Sequence, residues 1–271
     1  MTLLEKKMID ALKDLKENHS VIGVKAEFEA EGTRLEEALR LKEIITRAGL
    51  DLTIKIGGCE ALKDLYDARA IGVTRIVAPM IESPFALRKY LEATHLAFPV
   101  EEWKEISFLI NIETVVGFSQ FDNMLNMNKI SELAGIVLGR GDLACSMGMT
   151  RNEINHDKVF EMANTLLPKA KNHSLETVIG GGVSADSIPF FNRLPKACLD
   201  KFETRKVLFS FDDNDTEKMR HGILKAVGFE LMWLKNKRDF YGLIYNEDMA
   251  RIENLQGRYS TSIKAVGGQL E

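Results

Sequence analysis

Charged and amide side chains recur at the ends of short apolar runs in this chain of 271 residues. Glu27 and Glu29 close the run from Val21, Lys55 stands near the end of Leu52 to Ile56, and Glu82 follows Arg75 to Ile81. Asn111 and Glu113 end the run from Ile106, and Arg140 and Asp142 follow Gly135 to Leu138. Glu203 and Arg205 lie within Leu199 to Leu208. Carboxylates gathered on one rim repel one another, and a bound divalent cation makes such clustering tolerable. Oxygen donors without paired His or Cys suit Mg²⁺ or Mn²⁺ rather than zinc. The competing reading is that the carboxylates form ion pairs with Lys55, Arg140 or Arg205. Glu113 and Asp142 stand apart from it, because each ends an apolar strand within a distinctive local sequence.

The elements that must position these groups alternate along the chain. Helical spacing over Thr33 to Ala48 is stopped by Gly49, and further helices are expected over Glu60 to Ala70, Pro84 to Ala97 and within Phe118 to Glu132. Others follow over Asp157 to Lys171 and Ser184 to Asn192. Repeated strand–helix units with short connections allow a parallel barrel or a doubly wound sheet. Uniform units and near-continuous apolar strands favour an α/β fold of the (β/α)₈ TIM type, in which active sites lie at the C-terminal ends of the strands. Seven strands are readable in the pattern, and the eighth is missing, irregular or hidden around Glu105 to Ile112. The expected layout is one domain: an N-terminal helix over 1–20, a barrel core over 21–210 and a long helical C-terminal extension over 211–271. That extension reads as helical from about Asp213 to Arg258, interrupted near Gly242. Trp233, Phe240, Tyr241 and Tyr245 make it a candidate for packing against a second subunit, with packing on its own barrel as the alternative.

Composition sets outer bounds. Hydrophobic residues at 45% and charged residues at 28% are ordinary for a globular protein, and a net charge of −4 gives no reason to expect nucleic acid or an anionic membrane as partner. Thr2 to Asn18 is amphipathic rather than apolar, and no stretch is long enough to span a bilayer, so a cytoplasmic protein is expected. Cys59, Cys145 and Cys198 are widely spaced and read as structural thiols.

Three segments carry a family resemblance: Ala78-Pro79-Met80-Ile81-Glu82-Ser83, Ile110-Asn111-Ile112-Glu113-Thr114, and Leu138-Gly139-Arg140-Gly141-Asp142-Leu143-Ala144. In this order and spacing they resemble the HpcH/HpaI aldolase and citrate lyase β-subunit family of pyruvate/phosphoenolpyruvate-binding barrels. Met147-Gly148-Met149 and Arg151 look like the citrate-lyase-type continuation. The resemblance implies that Glu113 and Asp142 ligate Mg²⁺ or Mn²⁺, which chelates a pyruvate unit and stabilises its enolate. It implies that the Gly141 to Leu143 backbone holds the substrate carboxylate, with Arg140 and Glu82 nearby. Lys55 stands where the family has an enolate-supporting Arg.

One departure concerns the proton. The aldolase branch carries Asp-x-Glu-His-Gly, whereas the matching stretch here is Glu27-Phe28-Glu29-Ala30-Glu31-Gly32. Ala30 replaces the His, so Glu27, Glu29 or a metal-bound water is left to act as base. Arg205 is expected to end a late strand on the rim and to bind a second anionic group of the substrate, or else to pair with Glu203 or Glu82. The leading expectation is a carbon–carbon lyase acting on a small 2-oxo acid or related carboxylate, assembled as a homo-oligomer. Phosphoenolpyruvate chemistry and metabolite binding without turnover are the alternatives.

Overall fold

The computed structural model describes residues 1–212 and 215–265. The chain forms two compact units, one ending at Glu230 and the other beginning at Leu231. The first opens with α1 (Leu3–Asn18), whose start is fixed reciprocally: Glu5 N–H donates to the Thr2 hydroxyl, and Thr2 N–H to the Glu5 carboxylate. Met8, Leu12 and Leu15 recur at helical spacing and are fully buried.

Eight strands then close into a barrel in chain order. They are β1 (Val21–Glu27), β2 (Asp51–Lys55), β3 (Arg75–Ala78), β4 (Ser107–Ile112), β5 (Gly135–Gly139), β6 (Glu176–Gly180), β7 (Lys201–Glu203) and β8 (Val207–Ser210). Between them lie α2 (Leu35–Arg47), α3 (Leu62–Ile71), α4 (Pro84–Ala97), α5 (Val100–Lys104), α6 (Val115–Leu125), α7 (Arg140–Ser146), α8 (Asp157–Asn172) and α9 (Ile188–Asn192). From β1 to β7 every neighbouring pair is parallel.

The eighth strand is not near Glu105. The single strand expected within Leu199 to Leu208 is instead the start of a hairpin, and β8 runs antiparallel to both β7 and β1. The turn is tight: Thr204 N–H donates to the Val207 carbonyl at 2.9 Å, and Val207 N–H to the Thr204 hydroxyl at 3.1 Å. Thr204, Arg205 and Lys206 carry none of the Gly, Pro, Asn or Asp that mark hairpin turns, so the apolar pattern reads straight through.

Side chains two apart on a strand share a face, which stacks the barrel interior in layers. At the N-terminal end, Glu176 bridges Arg75 and Lys201 from across the sheet. Above it Val77, Leu109, Val137, Val178 and Leu208 form an apolar plug. The next inward positions are Asn111 on β4, Gly139 on β5 and Gly180 on β6, at the floor of a cavity.

One helix, α10 (Thr216–Ala265), begins in the first unit and makes up the described part of the second. It continues through Gly242, where an interruption was expected, since a single glycine costs a helix only about 1 kcal/mol. Asp213, at the expected start of this region, lies outside the described residues. Among the described residues no helix is long and apolar enough to cross a membrane.

Arg140 departs from expectation most sharply. It is fully buried and turned away from the cavity, under the chain that follows β6. Its guanidinium donates to Asn155 Oδ1 (2.6 Å), Ser187 Oγ (3.0 Å) and the Gly180 carbonyl (3.3 Å), and lies 4.9 Å from the centre of the Phe190 ring. Burial pulls its pKa down to about 9. An Arg140→Leu substitution leaves these acceptors buried without donors and is expected to cost about 3 kcal/mol or more, read by chemical denaturation.

Candidate active site

The C-terminal end of the barrel opens into a cavity of about 680 Å³. Six carboxylates line it (Glu27, Glu29, Glu113, Asp142, Glu203 and Glu230), against four cations (Lys25, Lys55, Arg151 and Arg205). The β4–α6 and β5–α7 junctions supply Glu113 and Asp142. Asn111 and Glu113 are two apart and share the inward face, while Asp142 sits in the first turn of α7.

Glu113 is 2% exposed and tightly held. Met80 N–H donates to Oε1 at 3.0 Å, Asn111 Nδ2 to Oε2 at 2.7 Å, and Lys55 Nζ lies 3.6 Å from Oε2. Burial pushes its carboxyl above the usual range despite Lys55 and the two hydrogen bonds, and the charge of Asp142 pushes the same way. Asn111 donates through its nitrogen, which leaves its buried Oδ1 without a partner. Asp142 is more open, with Arg151 Nη2 at 3.1 Å from Oδ1.

Glycines make room for these carboxylates. A Cβ on Gly139 would fall 2.5 Å from Glu113 Oε2, and one on Gly180 would fall 2.9 Å from Glu203 Oε1. Gly181, at φ +78°, lies against the start of α7, where a Cβ would stand 2.4 Å from the Gly141 nitrogen. Gly141 lines the cavity, and the early N–H groups of a helix have no partner within it.

Two ion-pair systems neutralise much of the acidic rim. Lys25 Nζ lies 2.9 Å from Glu27 and bonds Glu203, all three side chains being nearly inaccessible. Burial alone would lower the Lys25 pKa, but Glu203 and Glu27 outweigh it and raise it. Burial likewise pushes Glu27 up, but Lys25 prevails and holds it below the usual carboxylate range. Lys55 Nζ lies 2.9 Å from Glu29; burial opposes its charge, while Glu113 and Glu29 raise its pKa. A metal is therefore not needed to make Glu27, Glu29 or Glu203 tolerable.

Of the residues singled out from sequence, Glu27, Glu29, Lys55, Glu113, Gly141, Asp142 and Arg205 line this one cavity. Arg140, Glu82 and Leu143 do not: Glu82 accepts a 2.6 Å bond from the Thr114 hydroxyl, and Leu143 is fully buried. Arg205 stands in the β7–β8 turn rather than at a strand end. Its pairs are Glu31 at 3.3 Å and Glu27 at 3.8 Å, not Glu203 or Glu82. Ala30 lines the cavity, and none of the five histidines does. Sequence reading missed Lys25, whose position two before Glu27 on one strand was the available signal. It also missed Glu230, which a distant helix brings in. Among the described residues no three His, Cys, Asp or Glu side chains are grouped so as to hold a metal by themselves.

Replacing Lys25 by Met should expose the cost of the buried carboxylates. At neutral pH the variant is expected to lose about 3–5 kcal/mol, because Glu27 and Glu203 keep their burial without their cation. Glu27 titrates below its unfolded value, so this contribution is present above that value and is lost as pH falls through the folded pKa. The gap between wild type and variant should therefore shrink in denaturation curves as the pH is taken below the ordinary carboxylate range.

The sequence profile described as HpcH/HpaI aldolase/citrate lyase matches residues 34–186, more than half of the chain. A search of curated proteins finds no match. Similar folds occur in an HpcH/HpaI aldolase from Desulfitobacterium hafniense DCB-2 (16% identity, TM-score 0.53, covering 66% of this chain and 84% of the other). An HpcH/HpaI aldolase/citrate lyase family protein from Burkholderia cenocepacia J2315 is similar at 15% identity and TM-score 0.55, covering 72% and 84%. The citrate synthase SbnG is similar at 14% identity and TM-score 0.58, covering 86% and 90%. At these identities the structures establish a common fold, and it is the profile match that decides membership: the chain belongs to the HpcH/HpaI aldolase/citrate lyase family.

Proposed function

We propose that this protein is a divalent-metal-dependent carbon–carbon lyase that works through a pyruvate-type enolate, with Mg²⁺ or Mn²⁺ held by Glu113 and Asp142. The observation that carries the reading is one buried, unpartnered acceptor beside this pair. The buried Asn111 Oδ1 has no partner, and it lies on the same inward face as Glu113, whose carboxyl is pushed up by burial and by the charge of Asp142. An ion with two carboxylate ligands, completed by substrate oxygens and water, suits that set and the habit of Mg²⁺ of keeping several waters. When bound, it supplies Lewis-acid stabilisation of the enolate oxygen.

The chain's own residues do the rest. The first-turn N–H groups of α7 face a substrate carboxylate, with Gly141 allowing close approach. Lys55, kept charged by Glu113 and Glu29, donates to the oxygen on which negative charge develops. Lys in place of Arg gives a single point donor rather than a planar fork. For the proton, Glu27 is a poor base because it is buried against Lys25, which lowers its basicity. Glu29 also pairs with a lysine, Lys55, but its side chain is 25% exposed where that of Glu27 is 5%, so it is open to substrate and takes that role. The substrate is a small 2-oxo acid or related carboxylate, with Arg205 and Arg151 at the cavity to meet a second anionic group.

A second reading, 2-oxo-acid binding without turnover, draws on Ala30 at the cavity wall. Proton exchange separates the two. With Mg²⁺ or Mn²⁺ present, the enzyme is expected to exchange the methyl protons of pyruvate in D₂O, followed by NMR. Glu113→Gln and Asp142→Asn should each weaken Mn²⁺ binding and slow exchange by about 100-fold or more, with the fold retained. Normal Mn²⁺ affinity in both variants overturns the site. Metal and pyruvate binding without any exchange or condensation favours the binding protein.

A further inference from the structure

Among its described residues the second unit is a single helical stretch from Leu231 to Ala265, and its composition does not suit a solitary helix. It contains Gly242 and Gly257, each unfavourable by about 1 kcal/mol, and helices in proteins gain most of their stability from packing an apolar face. Leu231, Leu234, Tyr245, Ile252 and Leu255 are between 46% and 63% exposed. Together with Arg238, Tyr241 and Asp248 they follow alternating steps of three and four residues, the a/d spacing of a coiled coil. Phe240 and Leu243 lie off this stripe.

The two charged residues in the stripe decide how it can be covered. Arg238 and Asp248 stand symmetrically about residue 243, and so do Leu231 and Leu255, Leu234 and Ile252, and Tyr241 and Tyr245. The stripe is therefore self-complementary only when a second copy runs the opposite way. Antiparallel pairing sets each Arg238 against the other copy's Asp248 and apolar residues against apolar residues. Parallel pairing would set Arg238 against Arg238 and Asp248 against Asp248. Arg238 already forms an exposed pair with its neighbour Asp239, which it can exchange for the cross-chain partner. Such a contact is isologous and closes on itself as a dimer. We infer that Leu231–Leu255 is a dimerisation segment that forms an antiparallel coiled coil with a second copy of this chain, its two-fold axis passing near residue 243.

Sedimentation equilibrium of the full chain tests this, with circular dichroism confirming that each variant keeps its helix content. Arg238→Asp and Asp248→Arg should each weaken the dimer at least about tenfold, since each puts like charges together. The double variant should return to within about threefold of wild type, a rescue that parallel pairing cannot give. Orientation is read separately after Cys59, Cys145 and Cys198 are replaced by Ser. Ile244→Cys, beside the axis, should be cross-linked to its counterpart by a short bismaleimide. Gln256→Cys should not, because antiparallel pairing separates the two copies by roughly 39 Å along the helix. A wild-type monomer at all concentrations overturns the inference. So does an assembly indifferent to both charge reversals, a double variant as weak as the singles, or cross-linking at 256 with none at 244.

Discussion

A closed sheet leaves no edge, and everything at the candidate site depends on how this one closes. Seven strands run the same way, and the eighth returns antiparallel to bond both β7 and β1. Closure makes the inward face of every strand converge on one axis, so residues far apart in sequence meet at the same height. It also has a local effect. A strand that reverses at the C-terminal end places its turn at the cavity, where a parallel strand would have sent the chain away into a helix. Thr204 and Arg205 reach the cavity for that reason.

The alternation of two turns closure into a vertical order of charge, apolar plug and charge. Glu176 with Arg75 and Lys201 seals one end, and the pairs built on Lys25 and Lys55 occupy the other. The upper layer is not simply acidic. Lys25 is committed to Glu27 and Glu203, and Lys55 reaches both Glu29 and Glu113. Glu113 and Asp142 line the same cavity as the buried, unpartnered Asn111 Oδ1, and the proposed metal is centred there.

Much of this was legible in the chain. Apolar runs alternating with helical spacing give the barrel, and strand ends give the cavity, because both are set by short-range periodicity. Glu27, Glu29, Lys55, Glu113 and Asp142 were found that way. The misreadings have physical causes. Arg140 sits at a strand end like a rim residue, yet Asn155 before α8 and polar partners from the β6–α9 region draw it under the wall, and no local signal announces those partners. The β7–β8 hairpin lacks turn residues, so the sequence there has the pattern of one strand with Arg205 at its end. Gly242 has the look of a break, although a helix tolerates one glycine.

The glycines that end β5 and β6 set a condition on how this site can change. Gly139 and Gly180 are register partners, and each gives up its side-chain volume to a glutamate from the neighbouring strand, Glu113 and Glu203 respectively. The long acid and the missing side chain therefore form one unit of shape spread over two strands. Among descendants of such a sequence, a larger residue at 139 is compatible only with a shorter acid at 113, and likewise for 180 and 203. Drift at these four positions is thereby tied into two pairs, and a change in the reach of either carboxylate has to begin in the strand beside it.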